Sequence, residues 1–138
     1  MSQGRAAVIG MILAVLAVVG LLVEPSIEWP WTSPRDDGDL PSCGAVDLLP
    51  GNGVMEVPAD RAGCLFDATA EQSGAELKVI RYTDEGHPIP VYYRHHPGVS
   101  GLEVMEDMTA APYSAGGWRV SFCPEATSPH ALGDCVYE

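Results

Sequence analysis

The feature that most constrains this chain is an uninterrupted apolar run near its beginning. From Ala6 to Val23, 18 consecutive residues carry no charged or strongly polar side chain. An α-helix of this length rises about 27 Å, close to the roughly 30 Å hydrocarbon core of a bilayer. A helix satisfies all its backbone hydrogen bonds internally, which lipid requires. The run therefore predicts a single transmembrane helix over residues 6–23.

Two interpretations of this run differ in whether it stays attached to the rest of the chain. A cleaved signal peptide has a shorter apolar region, about 7–15 residues, and ends at a pair of small residues that flank the cleavage site. The residues from Leu21 to Pro25 contain no such pair. The pattern favours an uncleaved signal anchor; if the segment is cleaved, the remaining chain is secreted.

The charges on either side of the run predict its orientation. Arg5 lies on the N-terminal side, whereas the stretch from Glu24 to Asp39 holds five acidic residues against Arg35 alone. The positive-inside rule places residues 1–5 in the cytoplasm and everything after residue 23 outside. We therefore expect a single-pass protein of the cell membrane with an extracytoplasmic C-terminal domain.

The part of the chain beyond the run is strongly acidic. Residues 24–138 hold all 19 acidic residues and six of the seven basic ones, a net formal charge of −13. Such a surface repels nucleic acid and anionic lipid headgroups, so nucleic-acid binding is excluded and membrane contact is expected only through residues 6–23. Solubility is the simplest reason for the charge; attraction of a basic partner is the alternative.

Four cysteines indicate disulfide bonds in this outer part: Cys43, Cys64, Cys123 and Cys135. An even number of cysteines in a small exported domain is typical of a disulfide framework, and four cysteines allow three connectivities. Loop-closure entropy favours the two short loops, which pair the first cysteine with the second and the third with the fourth. No pair has the C-x-x-C spacing of a zinc knuckle or a thioredoxin-like redox site.

A change in composition separates a linker from a folded domain. Residues 24–42 contain four prolines and scattered charges, which is typical of an extended, semi-rigid stalk. Residues 43–138 hold the cysteines and the alternating patterns. The predicted organisation is a cytoplasmic N-terminus (1–5), an anchor (6–23), an acidic Pro-rich linker (24–42) and an extracytoplasmic domain (43–138).

One helix is predicted at the start of the domain, from Pro58 to Gln72. Proline suits the first helical position, and Asp60 suits the first turn. Apolar residues recur with helical spacing from Ala62 to Thr69, and Gly74 provides a C-cap.

Strand patterns dominate the remainder of the domain. Two short strands are predicted at 46–49 and 54–57, and four longer ones follow the helix at 77–83, 89–95, 102–107 and 118–123. In the last strand Trp118, Val120 and Phe122 alternate with polar residues, which predicts that these three side chains face the core. Short turns make the neighbouring strands antiparallel. The fold class is α+β: after the anchor, one helix packs on an antiparallel meander of about four strands, held by two disulfides.

The order of these elements resembles the cystatin-like and NTF2-like folds, in which a curved sheet wraps one helix. This resemblance implies a fold and no functional residue. The segments Gly63–Asp67, Pro90–Arg94 and Gly117–Trp118 are also similar to those of small exported or membrane-anchored domains of unknown function from high-GC Gram-positive bacteria. No activity follows from that similarity.

No reactive constellation stands out, so we expect no enzyme, metal or cofactor. His87, His95 and His96 cluster near Asp84 and Glu85, but adjacent strand residues point to opposite faces, and His95 ends the strand that His87 precedes. The carboxylates of Asp67 and Glu71, four residues apart on the predicted helix, are expected on a solvated face. Ser100 and the other serines lack the context of a nucleophile elbow.

Aromatic residues on the strands are the best candidates for an interaction face: Tyr82, Tyr92, Tyr93, Arg94 and Trp118. Tyr, Trp and Arg dominate protein-binding hot spots, although cross-strand packing is the favoured explanation of such residues. The leading hypothesis is a non-enzymatic domain that contacts another protein, as an accessory subunit or interaction module. A small-ligand-binding domain with a pocket between helix and sheet is the second hypothesis, and an exported hydrolase or metal-dependent enzyme is the third.

Overall fold

The computed structural model describes residues 40–137, and these residues form an α+β fold with a six-stranded mixed sheet. The elements in chain order are β1 (Ser42–Asp47), α1 (Ala59–Cys64), α2 (Ala68–Ser73), β2 (Ala75–Tyr82), β3 (Pro88–His95), β4 (Leu102–Asp107), β5 (Trp118–Cys123) and β6 (Val136–Tyr137).

The predicted anchor at 6–23, its orientation and most of the linker at 24–42 lie outside the described residues. Within residues 40–137 no helix is long and apolar enough to cross a bilayer. The first strand, β1, begins at Ser42, next to the predicted boundary between linker and domain.

The strands lie side by side in chain order, from β1 to β6. From β2 onward every neighbouring pair is antiparallel, as short turns require. β1 pairs with β2 in parallel, because the two helices between them carry the chain back across one face of the sheet. The sheet therefore holds six strands, more than the four of the predicted meander. It is mixed because the pair β1–β2 at one edge is parallel.

The predictions for the two short N-terminal strands were partly wrong. β1 begins at Ser42 and ends at Asp47, earlier than predicted, and residues 54–57 form no strand. Instead, the side chains of Asp47 and Asn52 each accept a hydrogen bond from a main-chain amide of the following loop, and the Asn52 amide donates one to the Asp47 carbonyl. After the last of the predicted strands, the C-terminal segment adds the two-residue edge strand β6.

The single predicted helix is in fact two short helices. Its break comes at Asp67, whose side chain accepts hydrogen bonds from the main-chain amides of Thr69 and Ala70 at 2.9 and 2.8 Å. An aspartate that caps a new helix in this way competes with continuation of the preceding one. The predicted C-cap at Gly74 is confirmed, with φ of 76°.

The helices cover one face of the sheet, which we call the inner face. In the core on this face, Leu65 and Ala70 of the helical segment pack with strand residues at alternating positions, such as Leu77 and Val79. The register between β4 and β5 places Ser121 and Cys123 on this inner face. The predicted orientation of β5 was therefore wrong: Trp118, Val120 and Phe122 lie on the opposite, outer face, where Val120 is nevertheless buried.

Two disulfides hold the ends of the domain, Cys43–Cys64 and Cys123–Cys135, with Cα–Cα distances of 5.8 and 4.2 Å. This is the pairing that loop length favours. The first joins β1 to the end of α1, and Arg61 supports the same junction by donating a hydrogen bond of 2.8 Å to the Cys43 carbonyl. Two disulfides are consistent with an extracellular environment.

Candidate functional site

The structure separates the five residues predicted as an interaction face. Tyr82, Tyr92, Arg94 and Trp118 alternate onto the outer face of the sheet. Tyr93 lies on the inner face and is only 4% exposed. It cannot contribute to a common surface with its neighbour Tyr92, because successive strand residues point to opposite sides.

Burial in the core also affects the pKa of the Tyr93 hydroxyl. Burial raises the pKa of the Tyr93 hydroxyl; the charge of Arg81 lowers this pKa and that of Glu106 raises it, both by smaller amounts. The phenol therefore stays neutral throughout the physiological range. Tyr93 is a core residue of the domain and is removed from the candidate face.

An aromatic pair lies on the outer face of the sheet. The rings of Tyr92 and Trp118 are tilted by 46° with centroids 5.8 Å apart, a geometry typical of favourable aromatic pairs. The ammonium of Lys78 lies 5.5 Å from the centroid of Tyr92, within the range of a cation–π interaction. These three residues, which we call the aromatic face, combine apolar surface with a positive charge in an otherwise acidic domain.

Trp118 is the exposed member of the aromatic face. It remains 40% exposed, which is unusual for the largest apolar side chain. With Arg119, Met108 and Tyr137 it borders a depression of about 330 Å³ at the edge of the sheet. Tyr137 is itself 68% exposed, so this edge presents two large aromatic side chains to solvent.

Arg94 has a different environment from the aromatic pair. Its guanidinium lies 2.7 Å from the Glu76 carboxylate and 3.9 Å from that of Glu103. Glu103 is fully buried and contacts His96, whose Nε2 lies 2.9 Å from a carboxylate oxygen. We call these four residues the buried charge network. Because its charges are occupied with one another, Arg94 supports the sheet more than it offers a free binding group.

The histidines do not gather into one site. His87 lies in the turn before β3, and His95 ends that strand, so about 26 Å separates them at the rise of a β-strand. His95 faces inward and His96 outward, as the alternation predicts. Within residues 40–137 no group of three or more histidine, cysteine or carboxylate side chains is arranged to hold a metal ion.

A cleft on the inner face brings together residues that are remote in the sequence. It has a volume of about 660 Å³ and lies where the second helix, the β3–β4 turn and the segment after β5 meet. Polar side chains and one aromatic ring line it: Glu71, His95, Ser100, Thr127 and Phe66. The main-chain amide of Gly98 donates to the Glu71 carbonyl and holds the turn against the helix.

Sequence reasoning considered three residues of this cleft separately and missed their proximity. Glu71 was expected on a solvated helix face, Ser100 was dismissed for lack of a motif, and His95 was weighed only as a partner of His87. Their meeting depends on the break at Asp67 and on the docking of the β3–β4 turn, neither of which local patterns predict. The only available signal was the position of His95 at a strand end on the core-facing side.

Comparisons with known proteins find no match for this chain among family models, curated proteins or solved structures. The likeness in element order to cystatin-like and NTF2-like folds therefore stays a prediction, and any function has to be argued from the residues themselves.

Proposed function

We propose that this chain is a membrane-anchored extracytoplasmic domain that acts by non-enzymatic contact with another protein. The anchor at 6–23 holds the domain at the outer side of the membrane, and the Pro-rich linker at 24–42 sets its distance from the bilayer. The domain recognises its partner through the aromatic face. The observation that carries this proposal is the exposed ring of Trp118 on the outer face of the sheet.

The composition of the aromatic face supports this role. Tryptophan and tyrosine supply much of the binding energy at protein interfaces, because they bury large apolar areas and lose few rotamers. The ring of Tyr92 packs against that of Trp118 on one side, a contact that restricts the rotamers open to the tryptophan. Preorganisation of this kind lowers the entropy cost of binding.

Replacement of Trp118 with alanine is expected to weaken partner capture by about 30-fold, the effect of a hot-spot residue worth about 2 kcal/mol. The measurement is quantitative co-purification of the full-length chain from its own membranes after mild detergent extraction. Tyr113→Ala is the matched control, because Tyr113 is 88% exposed in the loop before β5. The control variant should capture the partner as well as the wild-type chain does.

Two results would contradict the proposal. One is a full-length chain that purifies alone under conditions that preserve membrane complexes. The other is equal capture by the Trp118→Ala and Tyr113→Ala variants while circular dichroism shows both folded. The second result would show that the partner binds the chain at a surface other than the aromatic face.

The small-ligand alternative also has a specific observation in its favour. It required a pocket of several hundred Å³ between helix and sheet, and the cleft beside His95 meets that size. Because the cleft lies on the inner face and the aromatic face on the outer one, the two functions are compatible in one domain.

A further inference from the structure

The geometry points to the cleft beside His95 as a binding site for a small organic cation, a primary ammonium group carried on an apolar body. This inference rests on the small-ligand alternative and is independent of the aromatic face. Three properties of the cleft carry it: an unused acceptor atom on a buried histidine, the sign of the charge around that atom, and an aromatic ring beside it.

The acceptor is the Nε2 atom of His95. The other ring nitrogen, Nδ1, hydrogen-bonds the main-chain oxygen of Leu65. A carbonyl oxygen only accepts, so Nδ1 carries the proton, and in the neutral ring Nε2 presents a lone pair. His95 is 7% exposed and lines the cleft, and no residue in the described part of the chain hydrogen-bonds its Nε2.

This atom is placed as a binding group would be. No side-chain nitrogen or oxygen within residues 40–137 is both fully buried and without a partner, so Nε2 opens to the cleft. An acceptor with a fixed tautomer and a ring held by a second hydrogen bond is preorganised for a donor. A ligand that enters the cleft is therefore expected to present an N–H or O–H group to His95.

The charges around the cleft favour a positively charged donor over a neutral one. Among residues 40–137, Glu71 is the one carboxylate that lines the cleft, and no lysine or arginine of this part of the chain does so. The described residues as a whole carry 13 acidic and five basic side chains, a balance that raises the local concentration of cations. An ammonium group has three donors and no acceptor, which suits a cleft whose lining offers acceptors on Glu71, His95 and Ser100.

The remainder of the cleft suits an apolar body. The Phe66 ring lies 5.5 Å from the His95 ring and lines the cleft with Val99 and Ala126. An aromatic face attracts a cation and packs against hydrocarbon at the same time. The cleft volume lies within the range of sites that take small organic ligands.

The test uses 2-phenylethylammonium as the probe and the full-length chain in nonionic detergent micelles. Binding is followed by NMR, through the ring nitrogens of the histidines and the backbone amides of the cleft. We expect saturable binding that shifts His95 Nε2 and the amides of residues 98–101. Phenylacetate, which carries the opposite charge on a similar body, should bind at least about tenfold more weakly, because charge-assisted hydrogen bonds are lost; neutral 2-phenylethanol should fall between them.

Two variants locate the site. Asparagine in His95→Asn offers an amide N–H at about the position of Nδ1, so the hydrogen bond to Leu65 is retained while the acceptor at Nε2 is lost. Glu71→Gln removes the charge at an exposed position and leaves the fold unaffected. Each variant should weaken binding of the probe by about tenfold. Glu85→Gln, which removes an exposed carboxylate at the far turn, is the matched control and should bind like the wild type.

Three outcomes would overturn the inference. Equal affinities for 2-phenylethylammonium and phenylacetate would show that the cleft binds apolar groups without regard to charge. Linear shifts without saturation, or shifts that follow micelle partition in all three probes, would show no site. Binding unchanged in Glu71→Gln would remove the recognition of charge. None of these outcomes affects partner capture through Trp118, so the two proposals fail independently.

Discussion

Replacement of Glu103 with alanine is expected to lower the free energy of unfolding by about 3–5 kcal/mol, the cost of breaking a buried polar pair by removing one member. Glu103 is fully buried on β4. Its carboxylate contacts His96 at 2.9 Å and lies 3.9 Å from Arg94. When the carboxylate is removed, the Arg94 guanidinium keeps Glu76 but loses the second carboxylate, His96 Nε2 loses its contact with Glu103, and a cavity remains at the site.

Glu106 provides the matched control on the same strand. Its carboxylate forms ion pairs with Arg81 and Arg119, whose side chains are 47% and 56% exposed. Because solvent screens such pairs, Glu106→Ala is expected to cost about 1 kcal/mol or less. Urea unfolding of the full-length chain, followed by tryptophan fluorescence, measures both variants. Equal losses would show that the buried charge network contributes no more than a surface ion pair.

Loss of the Cys43–Cys64 disulfide is the second large effect expected. The double variant with Cys43→Ser and Cys64→Ser should lose about 3 kcal/mol of stability, because the bridge closes a loop of 21 residues and restricts the unfolded chain. The bridge also joins β1, the parallel edge strand, to α1. Both helices are only six residues long, so they depend on such tertiary ties for their stability.

The second disulfide gives the comparison for this experiment. Cys123–Cys135 closes a loop of 12 residues and holds the short edge strand β6. Its removal should cost less, because closure entropy rises with loop length and because only the C-terminal segment is released. Urea unfolding without reductant measures both double variants. Unchanged stability after removal of the Cys43–Cys64 bridge would contradict its role as the main tie of the helical segment.

Local patterns predicted the central strands of this fold well. β4 and β5 have the predicted bounds, and β2 and β3 differ from prediction by no more than two residues at either end. These strands alternate clearly and end at Gly- or Pro-containing turns, which are strong local signals. The parallel pairing of β1 was not predictable in the same way, because it depends on where the helical segment returns the chain.

The orientation of β5 and the break in the helix show where local patterns fail. Alternation in residues 118–123 marks two faces but does not say which one the helices cover. The register between β4 and β5 determines which side chains of β5 face the helices, and it places Trp118 on the outer face. At Asp67 a continuous apolar stripe favoured one helix, whereas a single side-chain cap to two amides divided it.

Of the two candidate sites, one was visible in the sequence and the other was not. Tyr92 and Trp118 stand out as strand aromatics, and the structure shows them paired. The cleft joins Glu71, His95 and Ser100 through tertiary packing alone. Separated polar residues of common types carry no local signal, so only the folded chain brings them together.

The intact mass of the protein extracted from its native membrane tests the central claim, an anchored extracytoplasmic domain stapled by two disulfides. Without reductant, we expect a chain that begins at Met1 or Ser2 and has lost four hydrogens, two for each bridge. Reduction should restore those four hydrogens. A mass that lacks residues 1–23 would contradict the anchor, and a mass unchanged by reduction would contradict the disulfide framework.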